Sequence, residues 1–286
     1  MASKLTLDGG IALVTGAAAG IGKETALAFA EAGAKGVVFA DINHEGAEAA
    51  AEESRKYARH AEYRALAIKV DMIDTEGVQN LVTSTIKEFG RIDYAVNSAG
   101  IDLENYGSFT PALDLDVFSK MNNTNITGAV RFVRAVTAAM AKQEPLTFPG
   151  TSRHSLRTLG RGSVVLLGST SSLVGVPGMI SYNTAKHAII GIMKSAAVDA
   201  LALQSAIRVN AVCPAWVDTP MVQNAAKENP MLQYSIDNIT PLKRAASVDE
   251  VADYIVFLSS PSASFINGTA LPIDAGLTLP APSART

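Results

Sequence analysis

Tyr182 and Lys186, in Tyr182-Asn183-Thr184-Ala185-Lys186, are a phenol and an ammonium one helical turn apart. Side chains at i and i+4 share a helix face, so the two point the same way. A free phenol has a pKa of about 10. A fixed cation beside it favours phenolate and draws the group toward the pH at which acid–base work is most efficient. Many helices carry such a pair on a half-buried face, so its meaning depends on what stands near it.

A second chemical signal lies at the other end of the chain. Thr15-Gly16-Ala17-Ala18-Ala19-Gly20-Ile21-Gly22 follows an apolar run and leads into an alanine-rich amphipathic stretch. Glycines at such a turn let the backbone approach a pyrophosphate, whose charge the free N–H groups of a helix N-terminus can hold. The spacing is Gly-x3-Gly-x-Gly, and tight packing alone is the other use of such a turn. Asp41 closes the next apolar run, where a carboxylate can accept hydrogen bonds from adenosine ribose hydroxyls and repel a 2′-phosphate. No Arg or Lys stands among residues 40–43. This pattern predicts NAD(H) over NADP(H), although an aspartate at a strand end also commonly caps the following helix. Asp71 and Asn97 close the third and fourth runs, where ligands bind in open α/β sheets.

These residues need a scaffold, and the rest of the sequence supplies one. Strands are predicted at Ile11–Thr15, Gly36–Ala40, Ala65–Val70, Ile92–Val96, Gly162–Leu167, Ile207–Val212 and Thr269–Ile273. Helices are predicted at Gly22–Ala32, His44–Arg59, Thr75–Phe89, Val117–Met140, Tyr182–Leu203 and Val248–Leu258. Strand–helix alternation with nearly continuous apolar strands is the pattern of a doubly wound parallel sheet with helices on both faces. No composition shift divides the 286 residues, so one α/β domain is expected over 1–286. Two stretches break the rhythm. Lys142–Arg161, with Arg153, His154, Arg157 and Arg161, reads as a surface loop. Val217–Arg244, with Pro220, Pro230 and Pro241, reads as a substrate lid or an irregular packed connection.

Composition narrows the function classes. The balance of 24 basic and 27 acidic residues, net −3, provides no field for nucleic acid or an anionic membrane. No stretch has the roughly 20 apolar residues of a membrane span, and no signal peptide is read at the N-terminus, so a cytoplasmic protein is expected. The four histidines lack metal-ligand spacing, and no metal site is expected. The lone Cys213 reads as a buried small hydrophobe. Hydrophobic residues at 48% against 18% charged suggest apolar surface at subunit contacts, hence a homo-oligomer, dimer or tetramer, although a large core explains the same figures.

Taken in order, the motifs resemble the short-chain dehydrogenase/reductase family along almost the whole chain. Gly16/Gly20/Gly22 matches its cofactor motif, and Tyr182-x-x-x-Lys186 matches its active-site motif. Ser169 stands where the family places its catalytic serine. Asn125, in Asn122-Asn123-Thr124-Asn125-Ile126-Thr127-Gly128, looks like its fourth catalytic residue. The chain departs from the family at Ser98 and Ala215. The resemblance implies a seven-stranded Rossmann-type sheet and a set of roles. Tyr182 would exchange a proton with the substrate oxygen while hydride moves to or from the nicotinamide. Ser169 would stabilise that oxygen. Lys186 would lower the Tyr182 pKa and hold the nicotinamide ribose, and Asn125 would support a water linking Lys186 to solvent. Gly16, Gly20, Ile21 and Gly22 would cradle the pyrophosphate. Asp71 would contact adenine, Asn97 the adenosine side and Thr219 the carboxamide.

The segments that would flank the substrate supply Leu173, Val174, Val176, Met179, Trp216, Val217, Met221 and Val222. They favour an apolar or aromatic secondary alcohol or ketone over a sugar or a charged acid. Two other functions use the same residues: a dinucleotide sensor without turnover, and an epimerase or dehydratase working on bound NAD.

Overall fold

The computed structural model describes residues 7, 9–104, 109–148 and 157–279. The apolar runs form β1 (Ile11–Thr15), β2 (Gly36–Asp41), β3 (Arg64–Lys69), β4 (Tyr94–Asn97), β5 (Leu146–Phe148), β6 (Arg157–Gly160), β7 (Gly162–Leu167), β8 (Ile207–Pro214) and β9 (Ala270–Ile273). The helices are α1 (Gly20–Ala32), α2 (His44–Ser54), α3 (Thr75–Phe89), α4 (Leu115–Asn122), α5 (Gly128–Met140), α6 (Ile180–Ala202), α7 (Pro220–Glu228), α8 (Pro230–Tyr234) and α9 (Val248–Ser259).

Seven strands pair in the order β3-β2-β1-β4-β7-β8-β9, all parallel. Successive side chains of a strand point to opposite faces, and both faces are covered. Ala12, Val14, Val37 and Phe39 pack with Phe29 of α1 and Ile255 of α9. Leu13, Val38 and Ala40 pack with Leu81 of α3, Phe132 of α5 and Ile189 of α6. Two-sided burial is why these strands read as unbroken apolar runs. The fold is the Rossmann-type α/β sheet expected.

Three expectations need correction. The helix expected over Val117–Met140 is interrupted by a π-helical turn at Asn123–Thr127. The expected surface loop at 142–161 contains β5 and β6, which pair antiparallel; each is too short to show a period, and Arg153 and His154 lie outside the described residues. The segment 217–244 is largely helical. Pro220 and Pro230 each stand in the first turn of a helix, where the missing N–H costs no hydrogen bond.

Candidate active site

The chain leaves β1 for β2 on one side and returns through β4 on the other. The loops after β1 and β4 therefore diverge and open a crevice at the strand ends, the usual ligand position in such sheets. Register aligns those ends: Thr15 lies beside Ala40 and beside Asn97. The Thr15 hydroxyl donates to Asn97 Oδ1 at 2.9 Å. Asn97 is thus buried behind the crevice, pinning β1 to β4, while Ser98, Ala99 and Gly100 line the opening.

The glycine turn forms the floor. Gly16 has φ +69°, and a Cβ there would stand 2.8 Å from the Ala99 nitrogen. A Cβ on Gly22 would overlap the Gly16 carbonyl oxygen. Ala19 precedes α1 and offers no side-chain cap, and the first turn holds no acidic residue. The opening N–H groups of α1 thus face the cleft without a side chain of their own to satisfy them, a setting that suits a pyrophosphate. Asp41 Oδ2 accepts from the Ala18 amide at 3.0 Å, and Oδ1 accepts from Asn43 at 2.9 Å. The carboxylate is therefore fixed at the edge of the turn. Thr219 caps α7, its Oγ1 accepting from Val222 N at 3.3 Å, and its methyl group closes over Gly20. Together with Ile21, these residues border a cleft of about 370 Å³ that reaches Ser169, Tyr182 and Lys186. Asp71 lies apart, in an adjoining recess of about 320 Å³ that shares Gly16 and Asp41 with the cleft. Glycines without room for a Cβ, an uncapped helix start and a fixed strand-end carboxylate fit a dinucleotide.

At the inner end, β7 delivers Ser169 and α6 delivers Tyr182 and Lys186. Ser169 Oγ accepts from the Ser171 amide at 3.1 Å and also hydrogen-bonds the Tyr182 hydroxyl. The Lys186 ammonium donates to the Leu167 carbonyl at 3.0 Å and lies 5.4 Å from the Tyr182 ring centroid. Burial brings Lys186 down to about 8, while Cys213 and Asp102 pull it the other way. Burial pushes the Tyr182 phenol up, the negative charge of Asp102 adds to the rise, and the Ser169 hydrogen bond opposes it. Here the structure overturns a sequence expectation. The phenol is held above its ordinary value, not below it, because removing a phenolate from water costs more than these neighbours return. A protonated phenol beside a hydroxyl donor, with an ammonium behind it, can exchange a proton with an oxygen placed before it.

Asn125 stands one layer back. The π-helical turn aims its buried amide at Ile101, whose N–H donates to Oδ1 at 2.9 Å and whose carbonyl accepts from Nδ2 at 2.8 Å. Such turns widen a helix by one residue and often serve to aim a side chain.

Beyond the reactive trio opens a cavity of about 340 Å³. Val174, Val176, Met179, Trp216, Met221 and Val222 line it, as the sequence suggested; Val217 borders the first cleft instead, and Leu173 is exposed. Sequence reasoning missed Ala225 and Leu232 from the helices after Pro220, Leu277 and Thr278 from the segment after β9, and Asp102. It also missed Glu104, whose Oε1 accepts from the Tyr182 amide at 2.7 Å and caps α6, which Met179 leaves without a side-chain cap. The only signal for either acid was its place just beyond a strand end.

Comparison with known proteins agrees with this fold. A family model described as enoyl-(acyl carrier protein) reductase matches residues 16–278. The short-chain dehydrogenase anuF of Penicillium roqueforti is 41% identical over 94% of this chain and 96% of its own length. Among solved structures, levodione reductase aligns with a TM-score of 0.81 at 30% identity, over 95% of this chain and 98% of that one. A 3-ketoacyl-(acyl-carrier-protein) reductase from Brucella melitensis, complexed with NADH, aligns with a TM-score of 0.78 at 26% identity, over 94% and 98%.

Proposed function

Since the chain belongs to the short-chain dehydrogenase/reductase family and is an oxidoreductase of that kind, we propose that it interconverts a secondary alcohol and a ketone on an apolar or aromatic small molecule, using NAD(H). The observation that carries this reading is the meeting of Ser169, Tyr182 and Lys186 at the inner end of a cleft that begins at the Gly16–Gly22 turn. The apolar lining of the second cavity supports the substrate class.

The family's nicotinamide cofactor fits the residues present. The Gly16-to-Gly22 turn with Ile21 would hold the pyrophosphate, Asp41 the adenosine ribose hydroxyls, Asp71 the adenine, Thr219 the carboxamide and Lys186 the nicotinamide ribose. Asn97 acts from behind, by fixing Thr15. Bound there, the nicotinamide supplies or accepts the hydride. Everything else is done by the chain. In reduction, Tyr182 gives the proton of its hydroxyl to the substrate oxygen, and Ser169 Oγ donates a hydrogen bond that stabilises the developing charge. The Lys186 ammonium stabilises the phenolate left behind. Asn125 holds the segment at Ile101 that borders both this site and the adenosine recess. Asp41 supports NAD(H), because its fixed carboxylate would repel a 2′-phosphate and neither Ile42 nor Asn43 brings a positive charge to offset that.

A panel of secondary alcohols and ketones, scored with both cofactors, tests the reading. Tyr182→Phe is expected to lower kcat by about 10²- to 10⁴-fold while leaving NADH binding, followed by nucleotide fluorescence, in place. Full activity in that variant refutes the mechanism. Turnover with NADPH equal to that with NADH refutes the cofactor assignment, and Asp41→Ala should narrow the gap between the two. The chain is further read as a homo-oligomer in the cytoplasm; no described helix is long and apolar enough to cross a membrane.

A further inference from the structure

Ser169 has to present a proton to the reacting oxygen, and a serine hydroxyl rotates to suit whatever partners surround it. The three residues after it, Thr170–Ser172, form a single 3-10 turn. Thr170 and Ser171 line the substrate cavity together with Ser169. Ser172 is buried and borders neither that cavity nor the cofactor cleft. We propose that Ser172 is a positioning residue for the reaction: its hydroxyl closes the turn beneath Ser169 and so aims the Ser169 hydroxyl at the reacting oxygen. This rests on the alcohol/ketone reading above and deepens it.

The side-chain bonds of this turn are reciprocal, as in a helix capping box. The Ser171 amide donates to Ser169 Oγ at 3.1 Å, and the Ser169 amide donates to Ser172 Oγ at 3.1 Å. The Ser172 amide closes the turn by donating to the Ser169 carbonyl at 2.8 Å. One acceptor position of Ser169 Oγ is thus spent on the Ser171 amide, which turns the rest of the hydroxyl toward Tyr182 and the cavity. Ser172 is itself held from behind. Its hydroxyl hydrogen-bonds the Cys213 sulfur of β8, which also receives the Ser169 amide. Here β7 and β8 run side by side: Leu167 pairs with Val212, and the Gly168 amide donates to the Val212 carbonyl at 2.8 Å. Gly168 permits the close approach, because a Cβ there would stand 2.9 Å from both the Cys213 sulfur and Ser172 Oγ. Through Ser172, the hydroxyl of Ser169 is therefore referred to the rigid sheet instead of to its own loop. The Cys213 sulfur also acts on the charge of Lys186, so a change there would disturb a second reactive group. Ser172 is the cleaner position to test.

The full chain is compared as wild type, Ser172→Ala, Ser169→Ala and the double variant. Each is assayed for kcat and KM with NADH and the ketone of the panel that the wild type reduces fastest. Amide exchange over residues 168–173 is followed by mass spectrometry with NADH bound. Ser172→Ala leaves the Ser169 amide only the Cys213 sulfur, a weak acceptor. Exchange in this segment should quicken about fivefold. The same variant should lower kcat about tenfold and keep KM within about twofold of wild type, because Ser172 borders no ligand. Ser169→Ala should cost about 10²-fold or more. The double variant separates a positioning role from a merely structural one. Acting through Ser169, Ser172 has nothing left to aim once that hydroxyl is gone, so the double variant should match Ser169→Ala; independent losses would multiply. The proposal is overturned if Ser172→Ala keeps the wild-type kcat, if exchange over 168–173 is unchanged, or if the two losses multiply. Failure of the underlying reading looks different. A wild-type chain that reduces no ketone, or a Ser169→Ala chain as fast as wild type, removes the reaction and the positioning role with it, even where exchange shows Ser172 holding the turn.

Discussion

At the scale of single residues, the proton chemistry depends on how burial treats two groups of opposite charge type. Burial pushes the Tyr182 phenol up and brings Lys186 down to about 8. A raised phenol is protonated at neutral pH, the form that ketone reduction requires, and alcohol oxidation requires its conjugate base. Reduction should therefore hold steady through neutral pH and fall in alkali, while oxidation climbs over the same range. Measuring kcat/KM in both directions from acid to alkaline pH checks the sign, and oxidation that fell as pH rose would exclude the phenol as its base. Lys186→Met should slow reduction at neutral pH, where the phenolate left behind loses its nearest cation, and move the alkaline limbs little, because Lys186 has already given up its charge there. Tyr182 and Lys186 were legible in the sequence because one helix sets their spacing, whatever the rest of the fold does. Asp102 and Glu104 were not, because what they do is set by contacts across the fold; Glu104 and Tyr182 stand 78 residues apart.

At the scale of elements, the turn between β1 and α1 tolerates no side chain where it doubles back. Gly22→Ala places a methyl group against the Gly16 carbonyl, an overlap of the kind that costs about 1–3 kcal/mol when backbone must move. The turn would open and misaim the N–H groups at the start of α1. NADH affinity is expected to fall by about tenfold or more, with each 1.4 kcal/mol of lost binding worth a factor of ten, and the melting temperature should drop as well. A fluorescence titration and a thermal melt measure both. Unchanged affinity would mean that the turn does not hold the cofactor. Most elements were legible for a simple reason: strands buried on two faces are apolar throughout, and long helices keep their period. Failures fell where that logic stops. β5 and β6, at three and four residues, are too short to show alternation. Pro220 and Pro230 read as breakers and proved to be helix starts. The π-helical turn left no mark in the periodicity, so the inward aim of Asn125 came from the family resemblance and its hydrogen bonds from the structure alone.

At the scale of the molecule, α4, α6 and the residue that caps α6 leave Leu115, Val198, Leu201 and Leu203 in contact with water, the last at 78% exposure. Such residues are unremarkable singly, but Val198 and Leu201 are neighbours on one helix face. Sedimentation should give a multiple of the 29.9 kDa chain mass, and Leu201→Glu should lower it. A wild-type protein that sediments as a monomer removes the oligomer. The sheet itself divides the labour. β2 and β3, on one side of β1, carry Asp41 and Asp71. Everything proposed to touch the substrate comes from β4 onward, on the other side. Inheritance can act on these halves separately. A lineage of such chains could exchange one nucleotide for another by altering the residue that closes β2, with its chemistry intact. Another could take up a new metabolite through the few residues after β4 while spending the same coenzyme.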